Sequence, residues 1–258
     1  MNLQQKMQQY SSLKALQILQ ALVEEGRAMS IQHIAQVTGL PSSTIHRIAQ
    51  ELIACGFVSK NESTKDYGLG AETWVLAMKM KNSDYLLKMA DTEMERLNLL
   101  SKETVHLIAP EHDQAVYIGK KEALYQIQLR SRIGWRIPLQ CTSAGKLILA
   151  YQSEEWVKTY LENNPLKHYT DHTIIREPEF FKELEQIRAQ GFSIDNREHN
   201  PDIVCVSAPI FDGEGRLVAT IGISAPDYRF TTKMALSLAP EVKKSAQTIT
   251  ETLSGKEE

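Results

Sequence analysis

Between residues 42 and 50 stand Ser42, Ser43, Thr44, His46, Arg47 and Gln50, a run of hydrogen-bonding side chains with one fixed charge. Short hydroxyls and a glutamine reach phosphate oxygens and base edges, and a guanidinium forks onto a phosphate or a guanine. Interleaved with them are Ile45, Ile48, Ala49, Leu52 and Ile53, at the three- and four-residue spacing of a helix. The segment reads as a helix with one core face and one hydrogen-bonding face. Contact with double-stranded DNA would use that outer face. The plainer alternative is a bundle helix with a solvated side.

The preceding residues decide between the two. Leu13 to Val23 has apolar residues at 15, 16, 18, 19, 22 and 23, with Ser11 or Ser12 as N-cap and Gly26 as stop. Ser30 caps a short helix from Ile31 to Val37, Gly39 permits a left-handed turn, and Pro41 opens the third helix with Ser42 or Ser43 free to cap it. Gly56-Phe57-Val58 leads into a strand, Asn61 to Lys65 turns, and Tyr67-Gly68-Leu69 returns. Three helices and a hairpin over residues 9–70 predict a winged helix-turn-helix, with Lys60 and Lys65 of the wing near phosphates. Its cations, Lys6, Lys14, Arg27, Arg47, Lys60 and Lys65, exceed its carboxylates, Glu24, Glu25, Glu51, Glu62 and Asp66, by one. So small a surplus neutralises few phosphates, which favours a homodimer or dimer of dimers sharing one operator.

A second run, Cys141-Thr142-Ser143-Ala144-Gly145-Lys146, opens an apolar helix with small residues. Such a start either cradles an anion on free amides or is a capped, tightly packed turn. A phosphate loop is excluded: Gln140 stands where its first glycine would be, and Leu147 follows Lys146. Ala71 to Met80, apolar at 74, 75, 77, 78 and 80, predicts a linker helix over 71–84, broken by Asn82-Ser83-Asp84. It is either a dimerising helix or a fourth core helix. From 85 to 256 the pattern mixes helices (85–100, 142–151, 154–163, 178–190, 231–253) with strands at 104–109, 115–119, 125–129, 192–194, 204–211 and 217–224. That is an α+β domain with antiparallel strands.

The chain of 258 residues carries a net charge of −3, so any nucleic-acid contact is confined to a local face. Its opening, MNLQQKMQQYSS, holds no apolar signal core and no stretch reaches a membrane span, so a cytoplasmic location without membrane contact is expected. Cys55, Cys141 and Cys205 form no disulfide framework or metal knuckle. Two other chemistries draw on the same side chains. Cys141 or Cys205 with His106, His172 or His199 would make a thiol enzyme, though no nucleophile motif accompanies them. His106, His112, Cys141, His199 and Cys205 would make a zinc sensor, though none stand at short repeating spacing. The expectation is therefore no catalysis, no cofactor and no resident metal.

Three segments, GLPSSTIHRIAQELIACGFV, SRIGWRIPLQCTSAGKLILAY and GFSIDNREHNPDIVCVSAPIFDGEGRLVATIGISAPDYRFT, resemble the IclR family of bacterial transcriptional regulators. The resemblance runs from about residue 10 to 253. SKETVHLIA with SRIGWRIPL is most similar to the branch that senses sugar acids and keto-deoxy derivatives. It implies a winged-helix domain, a linker helix and a GAF-like effector domain, and a repressor of a catabolic operon controlled by a small carboxylate such as a sugar acid. By motif it implies an effector pocket of Leu129, Ser143, Ala144, Asp195, Cys205, Gly222 and Ser224. The chain departs from the family at Asp202 and Val204, where Gly and Arg are usual. It departs also at Gly222, where many members have Ser, and at Trp135, where a smaller or charged residue is common.

Overall fold

A computed structural model describes residues 11–79 and 81–255, and the side chains of 77–85 are not among those described. Lys6 and Met80 thus lie outside the described residues, as do the side chains of Ala77, Met78 and Tyr85. The chain divides into two compact units, one ending at Lys81 and one beginning at Asn82.

The first unit runs α1 (Ser11–Glu25), α2 (Ile31–Thr38), α3 (Ser42–Ala54), β1 (Val58–Lys60), β2 (Tyr67–Leu69) and α4 (Ala71–Lys79). Ser30 caps α2 by accepting the His33 amide, and Gly39, at φ 70°, closes it. At α3 the structure corrects the expected cap. Pro41 takes that position, and neither Ser42 nor Ser43 caps by its side chain, because both already belong to the helix. Ile18, Leu22, Ile34, Ile45, Ile48, Val58 and Tyr67 form one core. Met29 and Tyr67 exchange backbone hydrogen bonds of 2.8 Å, tying the α1–α2 connection to the wing. A Cβ at Gly70 would lie 2.1 Å from the Gly56 carbonyl oxygen, so the base of the wing closes only on glycine. Of the apolar positions of α1, Ile18 and Leu22 are buried, whereas Leu16 and Val23 are 55% and 60% exposed, and Trp74 of α4 is 70% exposed.

The second unit begins with α5 (Lys81–Ser101), which contains Asn82-Ser83-Asp84. The expected break there is absent: polar residues of middling helix propensity do not stop a helix that lacks Gly and Pro. Then follow β3 (Thr104–Glu111), β4 (Gln114–Lys121), β5 (Arg136–Pro138), α6 (Ser143–Ala150), α7 (Glu154–Asn163), α8 (Glu177–Gln190), β6 (Ser193–Asn196), β7 (Ile203–Phe211), β8 (Leu217–Pro226) and α9 (Thr232–Leu253). The sheet order is β5-β4-β3-β8-β7-β6, with every neighbouring pair antiparallel. Alternation along the central strands sends Val105, Leu107, Val204, Val206, Ile221 and Ile223 to one face, packed on Met94 and Leu97 of α5 and Ala239 and Val242 of α9. On the other face Ile108 and Ala115 meet Leu147 and Ile148 of α6, with Phe180 and Leu184 of α8 behind.

The expected strand at Tyr125–Leu129 does not form. Side chains and neighbouring backbone take the hydrogen bonds that a ladder would have taken. The Leu124 amide donates to the Lys102 carbonyl, Gln128 donates to the Ala123 carbonyl, and Arg229 donates to the Ile127 carbonyl. Lys120 Nζ donates to both Leu129 (3.0 Å) and Ser131 (2.7 Å) carbonyls. Arg229, itself forked onto Glu103 at 2.7 and 2.9 Å, also lies 4.5 Å from the Tyr125 ring. The segment is irregular yet strapped to the sheet.

Lys146 is wholly buried, with Nζ 2.5 Å from Glu198 and 2.8 Å from Glu183. Burial disfavours its ammonium, but the two carboxylates outweigh that and raise its pKa. Replacing it by methionine strands two carboxylates, one of them buried. Urea denaturation of Lys146→Met, followed by tryptophan fluorescence, is expected to show a loss of about 3–5 kcal/mol. A loss below about 1 kcal/mol would contradict the role given to this cluster.

Candidate functional site

Strand register builds the larger site. Asp195, Cys205 and Ser224 are successive cross-strand partners on β6, β7 and β8. Ser207, Gly222 and His106 form the next row, on β7, β8 and β3. Two-residue spacing places both rows on the face opposite the apolar core. Above them lies the first turn of α6, whose cap Thr142 accepts the Gly145 amide. A Cβ on Gly145 would come within 2.4 Å of Leu139 backbone atoms. The helix start combines close packing with an open side. Thr142 and Gly145 serve capping and close packing, and Thr142, Ser143 and Ala144 line a cavity of about 310 Å³.

The cavity brings together Leu129, Ser143, Ala144, Asp195, Cys205, Gly222 and Ser224. It also includes residues that were not placed in it from the sequence: His106, Tyr117, Arg130, Ser131, His199 and Ser207. Ser207 was legible, since it lies two residues beyond Cys205 on the same strand. Arg130 and Ser131 were not, because they sit on the strapped irregular segment. The hydroxyls are held in place. Ser143 Oγ is 2.7 Å from Ser207 Oγ, and His106 lies between Ser131 Oγ at 2.7 Å and Ser224 Oγ at 3.3 Å. Gly222 has a steric reason: a Cβ there would lie 2.2 Å from Ser207 Oγ and 2.6 Å from the Val206 carbonyl oxygen. Ser207 brings a hydroxyl beside Gly222 from the neighbouring strand. Trp135 lines the mouth, and Ile108 and Ile137 supply apolar wall beside Leu129.

Burial sets the protonation of this site. It lowers the His106 pKa to about 3, with the Lys120 charge adding to the effect, so the ring is neutral. It raises the Asp195 carboxyl from 3.8 to about 7, helped by the Glu198 charge and opposed by the Glu198 amide, which donates to Oδ1 at 2.7 Å. Near neutrality Asp195 therefore divides between a donating and an accepting form. The Cys141 and Cys205 thiols are pushed up, away from the reactive thiolate. Among the described residues no group of three or more His, Cys, Asp or Glu could hold a metal ion.

In the first unit Ser42, Ser43, His46, Arg47 and Gln50 are exposed along α3, and Thr44 is half-buried. Arg47 is held on the surface by Glu51 at 2.5 Å and Ser11 Oγ at 2.9 Å. Lys60 is half-buried, with its ammonium 5.7 Å from the Tyr67 ring, and Lys65 pairs with Glu62 at 3.0 Å at the tip of the wing.

The raised Asp195 carboxyl makes a pH prediction. The folded state holds a proton there that the unfolded chain releases, so its contribution to stability is full below about pH 4 and is lost as pH rises through about 7. Asp195→Asn keeps the acceptor and removes the titration. Thermal melts should show wild-type protein losing stability relative to Asp195→Asn between those limits. Parallel curves would refute the assignment.

The family model described as the IclR helix-turn-helix domain matches residues 11–62, and that of the bacterial transcriptional regulator IclR C-terminal domain matches residues 78–251. The HTH-type transcriptional regulator KdgR of Escherichia coli is 36% identical over 221 residues, covering 86% of this chain and 84% of the relative. The HTH-type transcriptional repressor AllR of Salmonella typhimurium is 32% identical over 240 residues, covering 93% and 88%. The crystal structure of the Thermotoga maritima IclR aligns at TM-score 0.74 and 30% identity over 93% of this chain and 97% of that one. The C-terminal domain of E. coli KdgR aligns at TM-score 0.59 and 33% identity over 66% and 98%. A winged three-helix unit, a six-stranded antiparallel unit and relatives matched over most of their length converge: the chain belongs to the IclR family, DNA-binding transcriptional regulators that act on operator DNA.

Proposed function

We propose that this regulator is a repressor of a catabolic operon whose hold on its operator is set by a small hydroxylated carboxylate, such as a sugar acid, in the cavity of the second unit. One observation carries the reading. Hydroxyls of Ser131, Ser143, Ser207 and Ser224, a neutral His106 and a half-protonated Asp195 converge on one small cavity with an apolar side wall. A carboxylate at the first turn of α6 takes the amides of Ser143 and Ala144, favoured by the helix dipole. The hydroxyls and Asp195 then bond the hydroxyl or keto oxygens of the chain, and Leu129 packs against its carbons. The repressor relative AllR supports the sign.

On DNA, α3 enters the major groove. Arg47 releases Glu51 for guanine or phosphate, Ser42, Ser43, Thr44, His46 and Gln50 share base and backbone contacts, and Lys60 and Lys65 approach phosphates. Exposed Leu16, Val23 and Trp74 support self-association, as a homodimer or dimer of dimers that presents two reading helices. The working division is a DNA-binding domain over 9–70, a linker over 71–84 and an effector domain over 85–256. Among the described residues no helix is long and apolar enough to cross a membrane, and we place the regulator in the cytoplasm. The acid changes operator affinity only by its differential affinity for the DNA-competent and DNA-incompetent arrangements, typically about 1–3 kcal/mol.

Titration of the promoter region beside its own gene tests both halves. Arg47→Ala should weaken binding about tenfold or more without changing folding or assembly. Asp195→Ala should bind normally without acid and lose the response to the acid that most raises the melting temperature of the wild type. Unchanged binding by the first variant, or an unchanged response by the second, would refute the corresponding assignment.

A further inference from the structure

Two arginines line the cavity. Arg136 is forked onto Glu111, at 2.6 and 3.0 Å, and its charge is matched. Among the described residues, Arg130 has no ion pair or hydrogen-bond partner for its guanidinium, although it is exposed at the rim of the same cavity. Its backbone is fixed. Lys120 grips the carbonyls on either side, at Leu129 and Ser131, and His106 holds the Ser131 hydroxyl at 2.7 Å. A long flexible side chain is thus anchored on rigid backbone beside a site that a monocarboxylate would leave with one unmatched cation.

We propose that Arg130 is a specificity-determining residue that reads a second anionic group on the effector. The effector is then a short hydroxylated acid charged at both ends. One end lies on the Ser143 and Ala144 amides, and the other, a carboxylate or phosphate, lies on the Arg130 guanidinium. A planar fork suits either oxyanion, and a lysine would not reproduce its paired hydrogen bonds. Between the ends, the serine hydroxyls and Asp195 meet the hydroxylated carbons. This inference rests on the cavity being the effector site.

Three probes share a six-carbon chain and differ at one end: gluconate ends in an alcohol, glucarate in a carboxylate and 6-phosphogluconate in a phosphate. Calorimetric titration of the full chain should give at least one doubly charged acid an advantage over gluconate of about tenfold or more, the worth of a charge-assisted hydrogen bond. Which one leads distinguishes carboxylate from phosphate. Arg130→Gln should erase that advantage and leave gluconate binding unchanged, and Arg130→Lys should restore part of it. Equal binding of all three, an advantage that survives Arg130→Gln, or binding of none overturns the proposal. If gluconate binds, is lost in Asp195→Ala and shows no advantage for the doubly charged acids, the cavity reading stands and only the Arg130 assignment falls. If all three acids bind Asp195→Ala as they bind the wild type, they bind outside the cavity and both fall.

Discussion

The period-two alternation of β3, β8 and β7 is the constraint on which the second unit depends. One set of positions is apolar without exception from Val105 to Leu107, Val204 to Val206 and Ile221 to Ile223, and it is sealed by α5 and α9. The other set, His106, Cys205, Ser207, Gly222 and Ser224, is small or polar and faces a cavity. Because successive side chains point to opposite faces, one register cannot satisfy the core without also assembling the polar rows. The same burial that stabilises the sheet sets the chemistry of those rows. It holds His106 neutral and brings Asp195 close to half-protonation at neutral pH.

The remaining walls are held by side-chain hydrogen bonds rather than by secondary structure. Lys120 of β4, His106 of β3 and Arg229, in the turn after β8, bond the carbonyls and hydroxyl of residues 127–131. Lys146 does the corresponding work behind the cavity, joining α6 to α8 and to Glu198, whose amide bonds Asp195. A buried cation between two carboxylates is a poor source of net stability, since desolvation offsets most of the attraction. Its consequence is geometric: it fixes α6 relative to the segment that carries Asp195. A ligand that disturbs Asp195 acts on a tightly bonded neighbourhood, which is the kind of element through which occupancy can reach distant parts of a protein.

What the sequence disclosed follows from how local each signal is. The winged unit was legible because Ser30, Gly39, Pro41 and Gly56 mark its turns and the helices between them are amphipathic. Within α1, helical spacing alone does not separate Ile18, which is buried, from Leu16 and Val23, which are not. In the second unit Asp195, Cys205, Gly222 and Ser224 of the polar rows came from the family motif, and His106 and Ser207 did not. The alternation of Tyr125 to Leu129 imitated a strand, because a backbone bonded by distant side chains leaves no trace in its own composition. β5 went unread for a different reason: a strand of three residues is too short to show alternation. Of the cavity residues, Leu129, Ser143, Ala144, Asp195, Cys205, Gly222 and Ser224 came from the family motif. His106, Tyr117, Arg130, Ser131, His199 and Ser207 joined them only through tertiary placement.

The central claim is that an acid occupies the cavity between α6 and the polar rows of the sheet and thereby governs operator binding. The most direct measurement is the crystal structure of the full chain grown with the acid that most raises its melting temperature. The account predicts density for that acid inside the cavity, with its carboxylate at the Ser143 and Ala144 amides and its oxygens within hydrogen-bonding distance of Asp195 and Ser224. Density for the acid at any other place, with this cavity unfilled, would contradict it.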